Sequence, residues 1–166
     1  MEFAIVDTKA GSFGFVAHDR QLVATYLPDK KDRVKKRVRR EWPDAKENSS
    51  LMPGFRKRVS DYFSGKQTSF DVRLDLSDVP PFRRKVLEQC RRIPYGKTAS
   101  YQDLARAAGN VNAARAVGSA MAHNPLPLVV PCHRVLRADG SIGGFSSPSG
   151  VAEKKRMLRL EGCDAL

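Results

Sequence analysis

Cys132 and His133 are neighbours at the end of the segment Asn124–Pro131, NPLPLVVP. Cysteine attacks electrophilic carbon as the thiolate, and a thiol with a pKa of about 8.5 is mostly protonated at neutral pH, so it needs a base or a positive environment. His133 is the candidate base. Pro125, Pro127 and Pro131 exclude a regular helix and predict an extended, stiff mount for Cys132. Adjacent residues in an extended strand point to opposite faces, so His133 is expected to reach the thiol through a bridging water. Arg134 is expected to face away from Cys132 and to be structural. A histidine used as a base needs its other ring nitrogen held, usually by a carboxylate. Glu161 and Asp164 are the only acids beyond Glu153. A buried small thiol beside a surface histidine would look the same, and the pair alone does not choose.

The elements before this segment read as helices at 81–92, 100–108 and 112–122. Ser100 followed by Asp103 is a capping-box start, Gly109 suits a helix C′ position, and Asn112 can cap the next helix. A connection of about three residues, Gly109-Asn110-Val111, predicts a helix-turn-helix. Its second helix offers Ala113, Ala114, Ala116, Gly118, Ser119 and Ala120, with Arg115 the only charge. A helix that smooth can lie close to a groove but reads little sequence, so binding should be sequence-tolerant. Tight helix–helix packing is the competing reading of the small residues.

Upstream, residues 3–8, 13–18 and 22–27 are rich in β-branched and aromatic residues and read as an antiparallel meander. Asp29–Trp42 has a narrow apolar stripe, Val34, Val38 and Trp42, on a helix with eight Lys/Arg, whose basic face is either solvated or touches a polyanion. Residues 43–53 read as a loop, 54–64 as a second helix and 70–77 as a half-buried strand. Asp78-Val-Pro-Pro-Phe82 is the best boundary, giving domains 1–78 and 79–166. The fold class is therefore α+β: a small antiparallel sheet with helices, then a mostly helical, winged-helix-like domain.

The chain has 166 residues, a net charge of +12 and three cysteines. Residues 29–58 carry 12 basic against 5 acidic side chains, and 79–166 carry 14 against 6. Such a field favours polyanions, with nucleic acid or an anionic membrane surface the first partner class to test. The composition excludes a disordered chain and a disulfide scaffold. No apolar run approaches the roughly 20 residues of a membrane span, and no signal peptide is evident, so a cytosolic location is expected.

PYGKTASYQDLARAAG (94–109), ARAVGSAMAHNPLPLVVPCHRVL (114–136), DGSIGGFS (139–146) and KKRMLRLEG (154–162) follow one another as in the O6-alkylguanine-DNA alkyltransferases, the methylated-DNA–protein-cysteine methyltransferases. The chain resembles that family over essentially all of 80–162, and only in outline before it. The resemblance implies direct-reversal DNA repair: Cys132 takes the alkyl group from guanine O6, or from O4-alkylthymine, and keeps it, in one irreversible turnover without a cofactor. By resemblance His133, held by Glu161, takes the thiol proton through a water. Asn124 organises the cysteine segment, and Tyr101 donates a proton toward guanine N3. Arg115 fills the stack vacated by the flipped base, while Ala114, Ala116 and Gly118 let the helix lie in the minor groove. Val135, Met121, Phe145 and Ser146 would bound the base pocket. Cys90 and Cys163 match no functional position.

Three features depart from the family pattern. Gly144–Lys154 is about two residues longer than usual, which alters the pocket lid. Phe145 stands where a tyrosine is common, leaving Ser146 to carry more of the hydrogen bonding on the lesion side. Some relatives bind zinc near the N-terminus, whereas here no cysteine precedes Cys90 and His18 is the only histidine in that half, so no metal is expected. A monomer that can bind DNA cooperatively is the expected form. The alternatives are an alkyltransferase-like protein that binds the lesion and recruits other factors, in which the cysteine is replaced, and a helix-turn-helix regulator. Cys132 argues against the first and the alanine-rich helix against the second.

Overall fold

The computed structural model describes residues 1–163, and the chain divides into two compact units, one of residues 1–76 and one beginning at Ser77. Asp164 lies outside the described residues.

In the first unit, β1 (Glu2–Thr8), β2 (Gly11–His18) and β3 (Gln21–Asp29) form the antiparallel meander. Asp19 and Arg20, both at positive φ, make the two-residue turn between β2 and β3, the twist that suits a hairpin. One face of the sheet takes α1 (Lys31–Glu41) through Val34 and Val38, packed with Phe3, Val16, Ala24 and Tyr26. Gly14 is required there, because a Cβ on it would sit 2.6 Å from Val34 Cγ1. Phe13 and Phe15 turn to Phe55 of α2 (Pro53–Phe63) in edge-on aromatic contacts.

Two sequence expectations change in this unit. The stretch 43–53 is not all loop: β4 (Lys46–Glu47) pairs in parallel with β1, so the sheet is mixed, in the order β3-β2-β1-β4. Residues 70–74 alternate between half-buried and exposed, Leu74 to Leu76 are all half-buried, and the segment carries an isolated bridge between Leu74 and Leu22 in place of a full strand. Two backbone bonds hold it, Leu22 N–H to Arg73 O and Asp75 N–H to Leu22 O. Alternation fixes which side chains face inward, and does not by itself supply a partner strand for the remaining backbone groups.

The second unit opens with α3 (Pro81–Arg91), which carries a proline in its first turn where a missing N–H costs nothing. The two-residue strand β5 (Ala99–Ser100) leads directly into α4 (Tyr101–Ala107), and α5 (Ala114–Ala122) follows. Ser100 and Asp103 complete the capping box reciprocally. Gly109, at φ +88°, ends α4 with the Asn110 N–H on Ala105 O and the Gly109 N–H on Arg106 O. That paired arrangement is a Schellman motif. The connection to α5 is longer than expected, residues 108–113, and Ala113 rather than Asn112 occupies the cap position, with no side-chain cap. Asn110 is the reason: its Oδ1 accepts the Asn112 N–H, spending those residues on a turn. Helices α3, α4 and α5 pack on one another.

Beyond α5 the chain reaches β6 (Val135–Leu136), which pairs in parallel with β5, and then α6 (Gly150–Leu160). No helix among the described residues is long and apolar enough to cross a membrane.

Candidate active site

Cys132–Arg134 is a single 3-10 turn, not the extended mount the prolines predicted. Pro131 has no N–H to give, but its carbonyl accepts from Arg134 N–H at 2.9 Å, and Cys132 N–H bonds Val130 O at 2.8 Å, which tightens the chain at the cysteine. The proline-rich stretch before the turn is fastened by Asn124. Its Oδ1 accepts the Leu126 N–H and its Nδ2 donates to Val130 O, both within 2.9 Å. The Asn124 amide also lies near enough to the Cys132 thiol to favour its thiolate, so one side chain links the end of α5 to the cysteine turn.

The turn sends all three of its side chains inward. His133 is fully buried, not a surface histidine, and Arg134 is 6% exposed. Both meet Glu161, at the end of α6. His133 Nε2 lies 2.6 Å from Glu161 Oε1, and Arg134 grips the carboxylate through Nε at 2.8 Å and Nη2 at 3.0 Å. The Gly96 N–H adds a bond to Oε2, and Arg134 Nη1 donates to Ile93 O, so the carboxylate is tied to the segment after α3 as well. Arg134 was expected to face away from Cys132, but the 3-10 turn buries it with its two neighbours, and its contacts run to the carboxylate that holds the histidine.

The charges follow from these contacts. Burial opposes the Glu161 charge, yet the hydrogen bonds from His133 and Arg134 prevail and hold its carboxyl at about 2. Burial, with the neighbouring Arg134 and Lys154 cations, keeps His133 below the ordinary histidine value despite Glu161. Burial pushes the Cys132 thiol up, opposed by the Asn124 amide and the charge of Lys154. At neutral pH the site therefore holds a thiol, a neutral imidazole and a carboxylate.

Lys154 was not singled out from the sequence. It is completely buried, its Nζ donates to Val135 O at 2.6 Å, and it lies 5.8 Å from the Tyr101 ring centre and 6.0 Å from that of Phe145. Burial lowers its pKa to about 8. The signal was present: residue 154 is three and four positions before the buried Met157 and Leu158, and Glu161 is four and three beyond them, so helical periodicity puts both charges on the inner face of α6.

A cavity of about 360 Å³ opens beside this cluster, lined by Tyr101 and Gln102 of α4, Ala114, Arg115 and Gly118 of α5, and Arg137, Ala138, Gly143 and Gly144 of the loop after β6. Tyr101 connects the two regions: it lines the cavity, and the Lys154 ammonium lies 5.8 Å from its ring centre. Burial raises its pKa, so it is a hydroxyl donor at neutral pH. Arg115 and Ala116 are exposed on α5, with Ala114 and Gly118 half-buried. The four residues expected to bound the base pocket are not among the lining. Val135 and Met121 are buried, Phe145 is half-buried over Lys154, and Ser146 is exposed. Gly143 and Gly144 are the residues of that loop segment that line this cavity.

Residues 81–163 match the family model for the DNA-binding domain of 6-O-methylguanine DNA methyltransferase. A methylated-DNA–protein-cysteine methyltransferase of Mycolicibacterium paratuberculosis is 36% identical over 97% of this chain and 92% of its own length. One from Methanosarcina acetivorans is 34% identical over 98% and 99%. Among solved structures, Mycobacterium tuberculosis OGT in complex with DNA superposes with a TM-score of 0.82 at 32% identity, covering 97% of this chain and 92% of that one. The O6-methylguanine-DNA methyltransferase of Pyrococcus kodakaraensis gives 0.72 at 28% identity, over 96% and 99%. With the match extending through both units, the chain belongs to the methylated-DNA–protein-cysteine methyltransferase family.

Proposed function

We propose that this protein repairs O6-alkylguanine in double-stranded DNA by transferring the alkyl group to Cys132. The observation that carries this reading is the buried cluster of Cys132 with His133, Glu161 and Arg134, set beside a cavity walled by the helix-turn-helix. With Nε2 donating to Glu161, the Nδ1 side of the imidazole is the one that accepts a proton, through a bridging water, from the thiol. The thiolate attacks the alkyl carbon, a sulfur–carbon bond forms and the carbon–O6 bond breaks, and the electron pair passes into the guanine ring. Tyr101 donates a proton toward N3 as O6 departs. Lys154 supplies a positive charge while the thiolate forms. A thioether has no facile hydrolytic route, so each molecule reacts once.

Duplex DNA hides O6, so the nucleotide must be extruded, at a cost of a few kcal/mol that a damaged pair reduces. Arg115, exposed in the first turn of α5, is the side chain that enters the vacated stack. The small residues around it let the helix approach the minor groove, largely independent of sequence. A monomer in the cytosol, where thiols stay reduced, completes the reading.

The test is intact mass and peptide mapping after incubation with a duplex containing one O6-methylguanine. Gain of one methyl group on Cys132, with guanine restored, is the expected result. Tight binding to the lesion with no mass gain would make the protein a damage sensor and overturn the transfer step.

A further inference from the structure

The cavity rim carries two arginines on different elements and, among its lining residues, no carboxylate. Arg115 comes from α5. Arg137 comes from the other wall, and its backbone is fixed from two directions. The parallel register pairs Ala99 with Val135 and Ser100 with Leu136, so Tyr101, which opens α4, and Arg137 follow the two strands at the same end, and both line the cavity. On its far side Arg137 closes a tight turn, with its N–H on Ser141 O and its carbonyl accepting the Gly140 N–H, both at 2.9 Å. Asp139 is the carboxylate on that turn, and its Oδ1 is occupied by the N–H and hydroxyl of Ser141. The Arg137 side chain is exposed and makes no ion pair among the described residues.

A neutral base entering the cavity gives an exposed guanidinium at the rim nothing to neutralise. The backbone it is attached to does: once the base is inside, its phosphodiester must remain at the mouth. Arginine binds that group through paired N–H donors. We infer that Arg137 is a phosphate-binding residue that holds the backbone of the extruded nucleotide beside Tyr101, a different task from that of Arg115 in the stack. This rests on the repair reading above.

The test compares the parent protein, Arg137→Ala and Arg137→Lys. Binding of a duplex with one O6-methylguanine is measured against salt in a Cys132→Ser background, and reaction rates are measured for the same duplex and for free O6-benzylguanine with Cys132 intact. One lost phosphate contact should make the slope of log affinity against log salt shallower by about 0.9, which narrows the loss between 50 and 200 mM by roughly three- to fourfold. Arg137→Lys should keep the parent slope. Repair of the duplex should fall several-fold more than reaction with the free base, which has no phosphate. Equal slopes for the parent and Arg137→Ala would overturn the inference, as would equal losses on duplex and free base. Failure of the parent itself to gain a methyl group would overturn the repair reading, and the salt slope would still report whether Arg137 meets a phosphate.

Discussion

His133 and Arg134, adjacent in one 3-10 turn, share a single carboxylate oxygen: Glu161 Oε1 lies 2.6 Å from His133 Nε2 and 3.0 Å from Arg134 Nη2. A carboxylate serving a histidine alone would draw it toward the imidazolium form, which cannot take a proton from a thiol. Burial, helped by the permanent cation that shares the carboxylate, keeps the ring neutral while Glu161 orients it.

The pH dependence follows from that sharing. The His133 pKa lies below 6.5, because burial and the nearby cations outweigh Glu161, so the base stays competent as pH falls through that value. The acidic limb of the alkyl-transfer rate should therefore lie below pH 6.5. Arg134→Met should move that limb to higher pH, whereas a purely structural role would lower the rate without moving it. Stability has the same sign. Both folded-state values are depressed, so the contribution of His133 is lost as pH falls below 6.5, and that of Glu161 between 4.5 and about 2. Glu161→Gln leaves the Arg134 charge buried without its partner and should cost about 3 kcal/mol in denaturant unfolding.

Gly143 should be intolerant of a side chain. A Cβ there would stand 2.5 Å from the Tyr101 hydroxyl and 3.0 Å from its ring, whereas one on Gly144 meets nothing within 4 Å. Gly143→Ala is expected to displace the phenol and slow transfer by roughly 10- to 100-fold, the effect of misplacing a reacting group by about 1 Å. Gly144→Ala should cost much less. Equal effects in single-turnover kinetics would refute the placement of Tyr101 as the proton donor.

Much of this site was legible where residue type and spacing coincide with a local device. Ser100 and Asp103 formed the box that starts α4, and Gly109 ended it, because both motifs are decided within a few residues. Cys132, His133 and Glu161 were recognisable from the motifs around them. The turn at Cys132 was not, since three prolines specify where a helix is forbidden but not how the chain closes between them. The pairing of β5 with β6, two residues each, is set by what surrounds it and leaves no periodicity to read. Lys154 and Lys155 look alike in the sequence, yet one is fully buried and the other exposed, because a step of one residue turns about 100° around α6.

Gly118 separates stability from function. It lies inside α5, and a Cβ on it meets nothing within 4 Å. Gly118→Ala should raise stability by ~0.5–1 kcal/mol, the usual gain in a helix interior. If that face of α5 enters the minor groove, the same methyl should weaken duplex binding. A thermal melt and a binding titration on one variant decide this, and undiminished affinity would mean the helix does not approach DNA at Gly118.

Lys154 gives the most direct test of how the thiol is activated. Its pKa of about 8 means the ammonium is charged at neutral pH, at a cost in stability that is relieved as pH rises from about 8 to 10.5. Lys154→Met keeps most of the volume and removes that cost. It also leaves Val135 O without its donor, a loss of about 1–3 kcal/mol, so the two effects largely offset and the fold should persist. What should change is Cys132. At pH 7 the parent's ammonium is charged, and without it the thiolate forms less readily, so reaction with free O6-benzylguanine should slow, a slowing that fades above about pH 8, where the parent's Lys154 is itself neutral. A slowing that persists undiminished above about pH 8 would assign Lys154 to packing against Tyr101 and Phe145 rather than to the charge on sulfur.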